Sequence, residues 1–192
     1  SSLHEHGAKN LYNLIAERKL IKDPVPCMYI YQISMGNHSQ TGVMVAASIE
    51  EYNSCHIKKH EFTRQDKEDD RTLHIDITNA NTGPVFLTFR NDGKYKSILT
   101  EAITCKPDIA INGDNDTYHR LWKIDSMNFQ KTLSKYFETI PHLYIADGHH
   151  RLASAARVQK MRIKNTIDTQ NNKPYNYFMA VIFPHDELQI LS

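Results

Sequence analysis

Apolar residues at Ala8, Leu11, Tyr12 and Ile15 fall at helical spacing and predict a first helix reaching about Lys19. Prolines at 24 and 26 break that pattern. Residues 28–33 then read as a strand, Gly36 and Asn37 as a turn, and residues 42–48 as the antiparallel partner. Ser48 with Glu51 has capping-box spacing and predicts a short helix. A charged run over residues 58–71 leads into a helix over about 65–78, with Leu73 and Ile77 expected on its buried side. Residues 79–84 form a loop by composition, and 85–89 a strand. Helical spacing returns over 95–104, and short strands are expected at 108–111 and 118–124. In the second of these, Tyr118, Arg120, Trp122 and Ile124 share one face. Ser126 is placed to cap a helix bearing Phe129, Leu133, Tyr136 and Phe137. Residues 143–146 read as a short buried strand, 152–158 as helix, 166–173 as a polar loop, and 177–183 as the most hydrophobic strand. Strands and helices alternate without a strict βαβ rhythm, so the expected class is α+β, a mixed sheet with flanking helices.

Composition narrows the function classes. A formal net charge of +1 gives no broad basic face, so nucleic acid is not the expected partner. Cys27, Cys55 and Cys105 are scattered with no CxxC pair, which points to reduced thiols. No apolar run approaches a membrane span, and the polar start of the chain has no signal-peptide pattern. The expectation is a cytoplasmic protein with a small-molecule substrate and an oligomeric state the sequence leaves open. The chain opens inside an amphipathic helix and closes on the apolar alternation of residues 188–192, so it reads as one domain, 1–192, cut from a longer chain.

The densest chemistry lies at Asp147, Gly148, His149, His150 and Arg151, between an apolar run and an alanine-rich one. A strand-to-helix turn there leaves backbone N–H groups free, and the helix dipole favours an anion. Gly148 permits a tight turn, the next three residues donate to phosphate, and Asp147 offers a carboxylate for base or metal work. Elsewhere, Glu61 is a second candidate base and Arg64 a candidate clamp for carboxylate or phosphate. Asn79, Asn81 and Thr82 offer polar contacts to a ligand beside a core strand. His56 and His60 stand four apart, as two imidazoles on one helix face would. With His149 or His150 they would make a zinc set, but the pattern is not HExxH and eleven histidines make chance pairs common, so no metal site is expected.

Three blocks carry a family resemblance: residues 57–64 with 67–71, residues 79–87, and residues 144–151. Together, and in this order, they resemble the prokaryotic family catalogued as domain of unknown function 1015, whose members are longer at both ends. The Asp147–Arg151 block also resembles the phosphate-binding turn of the ParB–sulfiredoxin superfamily, which includes kinases of free L-serine. That second resemblance implies a ParB/sulfiredoxin-like core with a nucleotide phosphate on Gly148, His150 and Arg151. Sulfiredoxin's catalytic cysteine has no counterpart here, because Gly148 and His149 occupy that region. By this analogy the chain is a phosphotransferase using ADP or ATP with Mg2+ on a small hydroxyl metabolite, free L-serine first among them. Asp147, Glu61 and His149 would be catalytic, and Arg64, Asn79, Asn81 and Thr82 would orient substrate. The alternatives are a phosphohydrolase using the same anion cradle and a non-catalytic nucleotide-sensing module.

Overall fold

A computed structural model describes residues 3–165 and 173–189. The elements in chain order are α1 (Leu3–Ala16), β1 (Met28–Met35), β2 (His38–Ser48), α2 (Ile49–Asn53), β3 (Ile57–Lys58), α3 (Gln65–Thr78) and β4 (Val85–Phe89). There follow α4 (Tyr95–Ile103), β5 (Ile109–Asn112), β6 (Thr117–Ile124), α5 (Met127–Glu138), β7 (Leu143–Asp147), α6 (His149–Lys164) and β8 (Tyr177–Pro184). The strands form one sheet in the order β3-β7-β4-β8-β2-β1-β6-β5. β3 pairs β7, and β4 pairs β8, in parallel; the other neighbours are antiparallel. The protein is therefore α+β with a mixed sheet and flanking helices. The polar loop expected over residues 166–173 lies, save for Lys173, outside the described residues, as do the last three residues of the 188–192 alternation. Among the described residues no helix is long and apolar enough to cross a membrane.

Alternation along the strands builds the core. Ile30, Val43, Leu87, Ile145, Ala180 and Ile182 are all 3% exposed or less and pack in one cluster with Leu133 of α5 and Leu152 of α6. Phe89, Tyr95, Tyr136 and Phe137 lock α4 and α5 onto that cluster, with Phe89 edge-to-face against the other three at ring separations of 5.1–6.1 Å. Trp122 is in the core, its indole N–H donating to the Cys105 carbonyl at 2.8 Å.

Several expected details differ. β2 begins four residues early, at His38, because the hairpin with β1 zips up to the Gly36 turn. Ser48 caps α2 as expected, but its hydroxyl accepts from the Glu50 N–H. α6 runs from His149 to Lys164, longer than its apolar stretch, because its charged end is held by contacts to α3. β3 is only two residues long and exists through its pairing with β7, which no local pattern announces. Residues 143–146 are half-buried: Leu143 and Ile145 point inward, while Tyr144 is 45% exposed.

α3 spans the expected residues but turns another face inward. Leu73 is 47% exposed, whereas Thr72 is buried and Ile75 packs on the core. The cause is close packing of α3 on α6, where the buried Ser154 hydroxyl donates to the Glu68 carbonyl at 3.2 Å. Small residues there bring the backbones together and fix the rotation of α3. Its charges are also not merely solvated: Asp69 pairs with Arg157 and Asp76 with Arg162 of α6, and Asp70 with His4 of α1. This rotation is testable by urea unfolding. Ile145→Ala, which empties a site 1% exposed, should lower stability by about 2–5 kcal/mol, whereas Leu73→Gln should stay within about 0.5 kcal/mol.

Candidate functional site

Strand pairing brings three distant segments to one edge of the sheet. β7 runs between β3, parallel to it, and β4, antiparallel to it. The end of β7, the end of β3 and the start of β4 therefore lie at the same edge. Residues 59–64 leave β3 there, residues 79–84 enter β4 there, and the Asp147–Arg151 turn leaves β7 between them. The register shifts between Phe86, opposite Asp147, and Leu87, opposite Ile145, so β7 carries one extra residue at Ala146. Without it, the alternation Leu143-in, Tyr144-out, Ile145-in would aim Asp147 at the core. With it the Asp147 side chain is 73% exposed.

Gly148 makes the turn from strand to helix at φ +95°, left-handed backbone that an L side chain rarely adopts. A Cβ there would also sit 3.3 Å from the Val85 Cα. α6 starts at His149, so Gly148 and the next residues form the helix-start turn expected from the sequence. His149 and Arg151, two apart, project to different sides of this first turn and line separate recesses.

On one side, His149 meets the segment leaving β3. Its Nδ1 is 3.4 Å from Glu61 Oε2, and its ring stands edge-on to His60 at 4.5 Å. The His149 side chain is 5% exposed, while Glu61 is 64% exposed. The His149 Nε2 is buried with no hydrogen-bond partner among the described residues. Burial holds the ring below the usual histidine pKa of 6.5, His60 pushes the same way, and Glu61 opposes both. These residues, with Tyr52, Lys59, Phe62 and Thr63, line a recess of about 280 Å³. His150 ties the segment down: its Nε2 accepts from the Arg64 backbone N–H at 3.1 Å.

On the other side, Arg151 packs between the Gly83 and Gly148 backbones. Its Nη1 donates to the Pro84 carbonyl at 2.7 Å and lies 3.6 Å from Asp147 Oδ2. The neighbouring recess, about 140 Å³, includes Asn81, Thr82 and Gly83 of the 79–84 loop, and Arg71 and His74 of α3. His74 Nε2 and the Thr82 hydroxyl share a 3.0 Å hydrogen bond.

The remaining candidates occupy other settings. The Arg64 guanidinium is paired with Asp66 and 71% exposed, so this residue meets the site through its backbone. Asn79 terminates α3 in left-handed conformation and its side-chain oxygen accepts from Arg162. His56 and His60 flank β3 and so share no helix face: His56 adjoins His142 and Glu51, and His60 adjoins His149. Among the described residues no three His, Cys, Asp or Glu side chains are grouped to hold a metal. His60 does adjoin His149, as the zinc grouping would have it, but without His56; Arg71 and His74 are neighbours of Arg151 that the sequence did not single out. The spacing of Arg71 and His74 by one helical turn was the available signal, hidden within a charged run.

Sheet, turn and recesses define an α+β protein with a helix-start site at one sheet edge. The chain belongs to the family described as protein of unknown function DUF1015, whose family model matches residues 2–192. Comparison with curated proteins and with solved structures returns no match.

Two outcomes follow from this geometry. Gly148→Ala should lower stability by about 1–3 kcal/mol in urea unfolding, through its positive φ. His149 and His74 both have folded pKa values below the unfolded value of 6.5, in each case chiefly through burial. Their unfolded rings gain protons first on acidification, so their contribution is complete above about pH 6.5 and is lost as pH falls through the folded pKa values. Thermal unfolding temperature should therefore drop from neutral to mildly acidic pH, and His149→Gln should flatten that drop.

Proposed function

We propose that this protein is a nucleotide-dependent phosphotransferase acting on a small hydroxyl metabolite, with free L-serine the first candidate. The observation that carries the reading is the Glu61–His149 pair: a buried ring beside a carboxylate, with its far nitrogen unpartnered. A proton on Nδ1 facing Glu61 leaves the Nε2 lone pair as a base, and the depressed pKa keeps it neutral near pH 7. With a shift of the side chains that cover Nε2, a substrate hydroxyl in the adjoining recess would supply the missing partner and give up its proton there. Glu61 then orients the ring and stabilises the imidazolium that forms. This moves the base from Asp147 to His149, with Glu61 as its positioning residue.

Phosphoryl transfer needs charge neutralisation and alignment more than covalent chemistry. The backbone at Gly148 and the start of α6 offers N–H groups and the positive end of the helix dipole. Arg151 adds a cation already fixed by Pro84, and His150 keeps Nδ1–H as a donor while its Nε2 accepts from Arg64. Asp147 would be the residue to hold a Mg2+ ion, because its carboxylate is exposed and its contact to Arg151 is long. When bound, Mg2+ neutralises phosphate charge. Asn81 and Thr82 would contact ligand from the loop facing Arg151. The likeness of the Asp147–Arg151 turn to the ParB–sulfiredoxin superfamily, and to its serine kinases, supports the same assignment by analogy.

The test is phosphoserine formation from ADP or ATP with Mg2+ by the full-length protein, with His149→Gln and Glu61→Gln variants alongside. His149→Gln should lower turnover about a hundredfold or more while leaving nucleotide affinity near that of the parent. Glu61→Gln should lower it less, since the ring remains. Unchanged turnover in His149→Gln would remove the base assignment. A parent that phosphorylates other hydroxyl compounds but not serine would remove serine, and nucleotide hydrolysis without transfer would favour the phosphohydrolase reading.

A further inference from the structure

The basic recess beside Arg151 has an apolar neighbour. Asn81 lines both. The second recess, about 340 Å³, is walled by Tyr29, Met44, Ala46 and Met179 from three adjacent strands, β1, β2 and β8. Its size falls in the range of small-molecule sites, roughly 300–1,000 Å³. A larger recess of about 410 Å³ around Tyr31, Ile109 and Ile111 shares no lining residue with the basic one.

We infer that these two recesses, which meet at Asn81, bind a nucleoside phosphate, with its phosphates between Arg71 and Arg151 and its base on the sheet face at Tyr29, Met44 and Met179. The inference rests on the nucleotide part of the reading above and adds where the nucleotide lies. Arg151 is half committed: Nη1 is engaged by Pro84 and approaches Asp147, while Nε and Nη2 make no hydrogen bond among the described residues. That unengaged edge is the fork that grips two oxygens of one phosphate. Arg71, exposed, lines the same recess with no hydrogen bond or ion pair of its own among the described residues. Its charge is felt there, since with burial and His4 it lowers the pKa of His74. Two guanidinium groups held near a neutral histidine, with the Thr82 hydroxyl beside it, make a recess that an oxyanion would neutralise.

The apolar half suits a flat aromatic body. Tyr29 is held neutral, its pKa raised to about 12 by burial and by the hydrogen bond its phenol donates to Asp23. Met44 and Met179 offer thioether contacts to a ring. The bond between Tyr29 and Asp23 also fixes the ring, so little side-chain freedom is lost when a base docks.

Calorimetric titration of the full-length protein with ADP and with inorganic pyrophosphate tests both halves. Arg71→Gln should weaken both ligands about tenfold or more. Ala46→Trp, at an exposed strand position, fills the apolar recess and should weaken ADP about tenfold or more while leaving pyrophosphate unchanged. Unliganded thermal unfolding checks that each variant is folded. Photolabelling of the parent by azido-ADP, expected on Tyr29 or Met179, gives the base position without any variant; Met44 lines both apolar recesses and does not discriminate. Full ADP affinity in Ala46→Trp, or labelling at Tyr31, Ile109 or Ile111, overturns the base site. Full pyrophosphate affinity in Arg71→Gln, or a parent that binds neither ligand, overturns the phosphate site. ADP binding with these responses, but no phosphoryl transfer to any hydroxyl compound, upholds this site and removes the transferase reading.

Discussion

The site depends on the placement of β7 between a parallel and an antiparallel neighbour. A parallel partner shares its carboxyl end with β7, and an antiparallel partner brings its amino end to the same edge. Only that combination gathers the exit from β3, the entry to β4 and the Asp147–Arg151 turn. The pairing is anchored by Ile57, Leu87 and Ile145, all 2% exposed or less. Fully burying side chains of this size contributes roughly 1.5–3 kcal/mol each. The core beneath the sheet thus holds the geometry of the edge above it.

Two local departures from regular structure then aim the chemistry. The extra residue at Ala146 turns Asp147 out of the core, and the left-handed Gly148 swings the chain directly into α6. Neither feature helps the sheet, since a bulge breaks the ladder and a glycine adds entropy to the unfolded chain. Their joint effect is to set an exposed carboxylate, a buried imidazole and a fixed guanidinium within five residues.

His149 is the point of greatest electrostatic tension. Burial disfavours its charged form, His60 opposes it further, and Glu61, followed by Asp147, favours it. Because Glu61 is largely exposed, water screens its pull, and the neutral ring prevails. A carboxylate that orients a ring without forcing it to charge is the balance a base near neutral pH requires. On the opposite side of the turn, the balance is reversed: Arg71 and Arg151 bring permanent charge to their recess, and the Asp147 carboxylate approaches one Arg151 nitrogen at 3.6 Å.

Most elements were legible in the sequence because their patterns are local. The apolar runs of β4 and β8, the amphipathic face of α5 and its Ser126 cap need no distant partner to be read. The helix start at Gly148 was legible too, since a glycine between an apolar run and an alanine-rich one meets a purely local backbone demand. What pairing and packing decided was out of reach. β3 has two residues and no pattern, the bulge at Ala146 is a relation between two strands, and the rotation of α3 follows from Ser154 on another helix. The same holds for the roles around the turn. The sequence by itself put Asp147, His149, His150 and Arg151 in one segment, but their neighbours are 67 to 88 residues away along the chain, at Pro84, Arg64 and Glu61. Burial of His149 and exposure of Asp147 are properties of the folded surface, and only the tertiary structure could assign them.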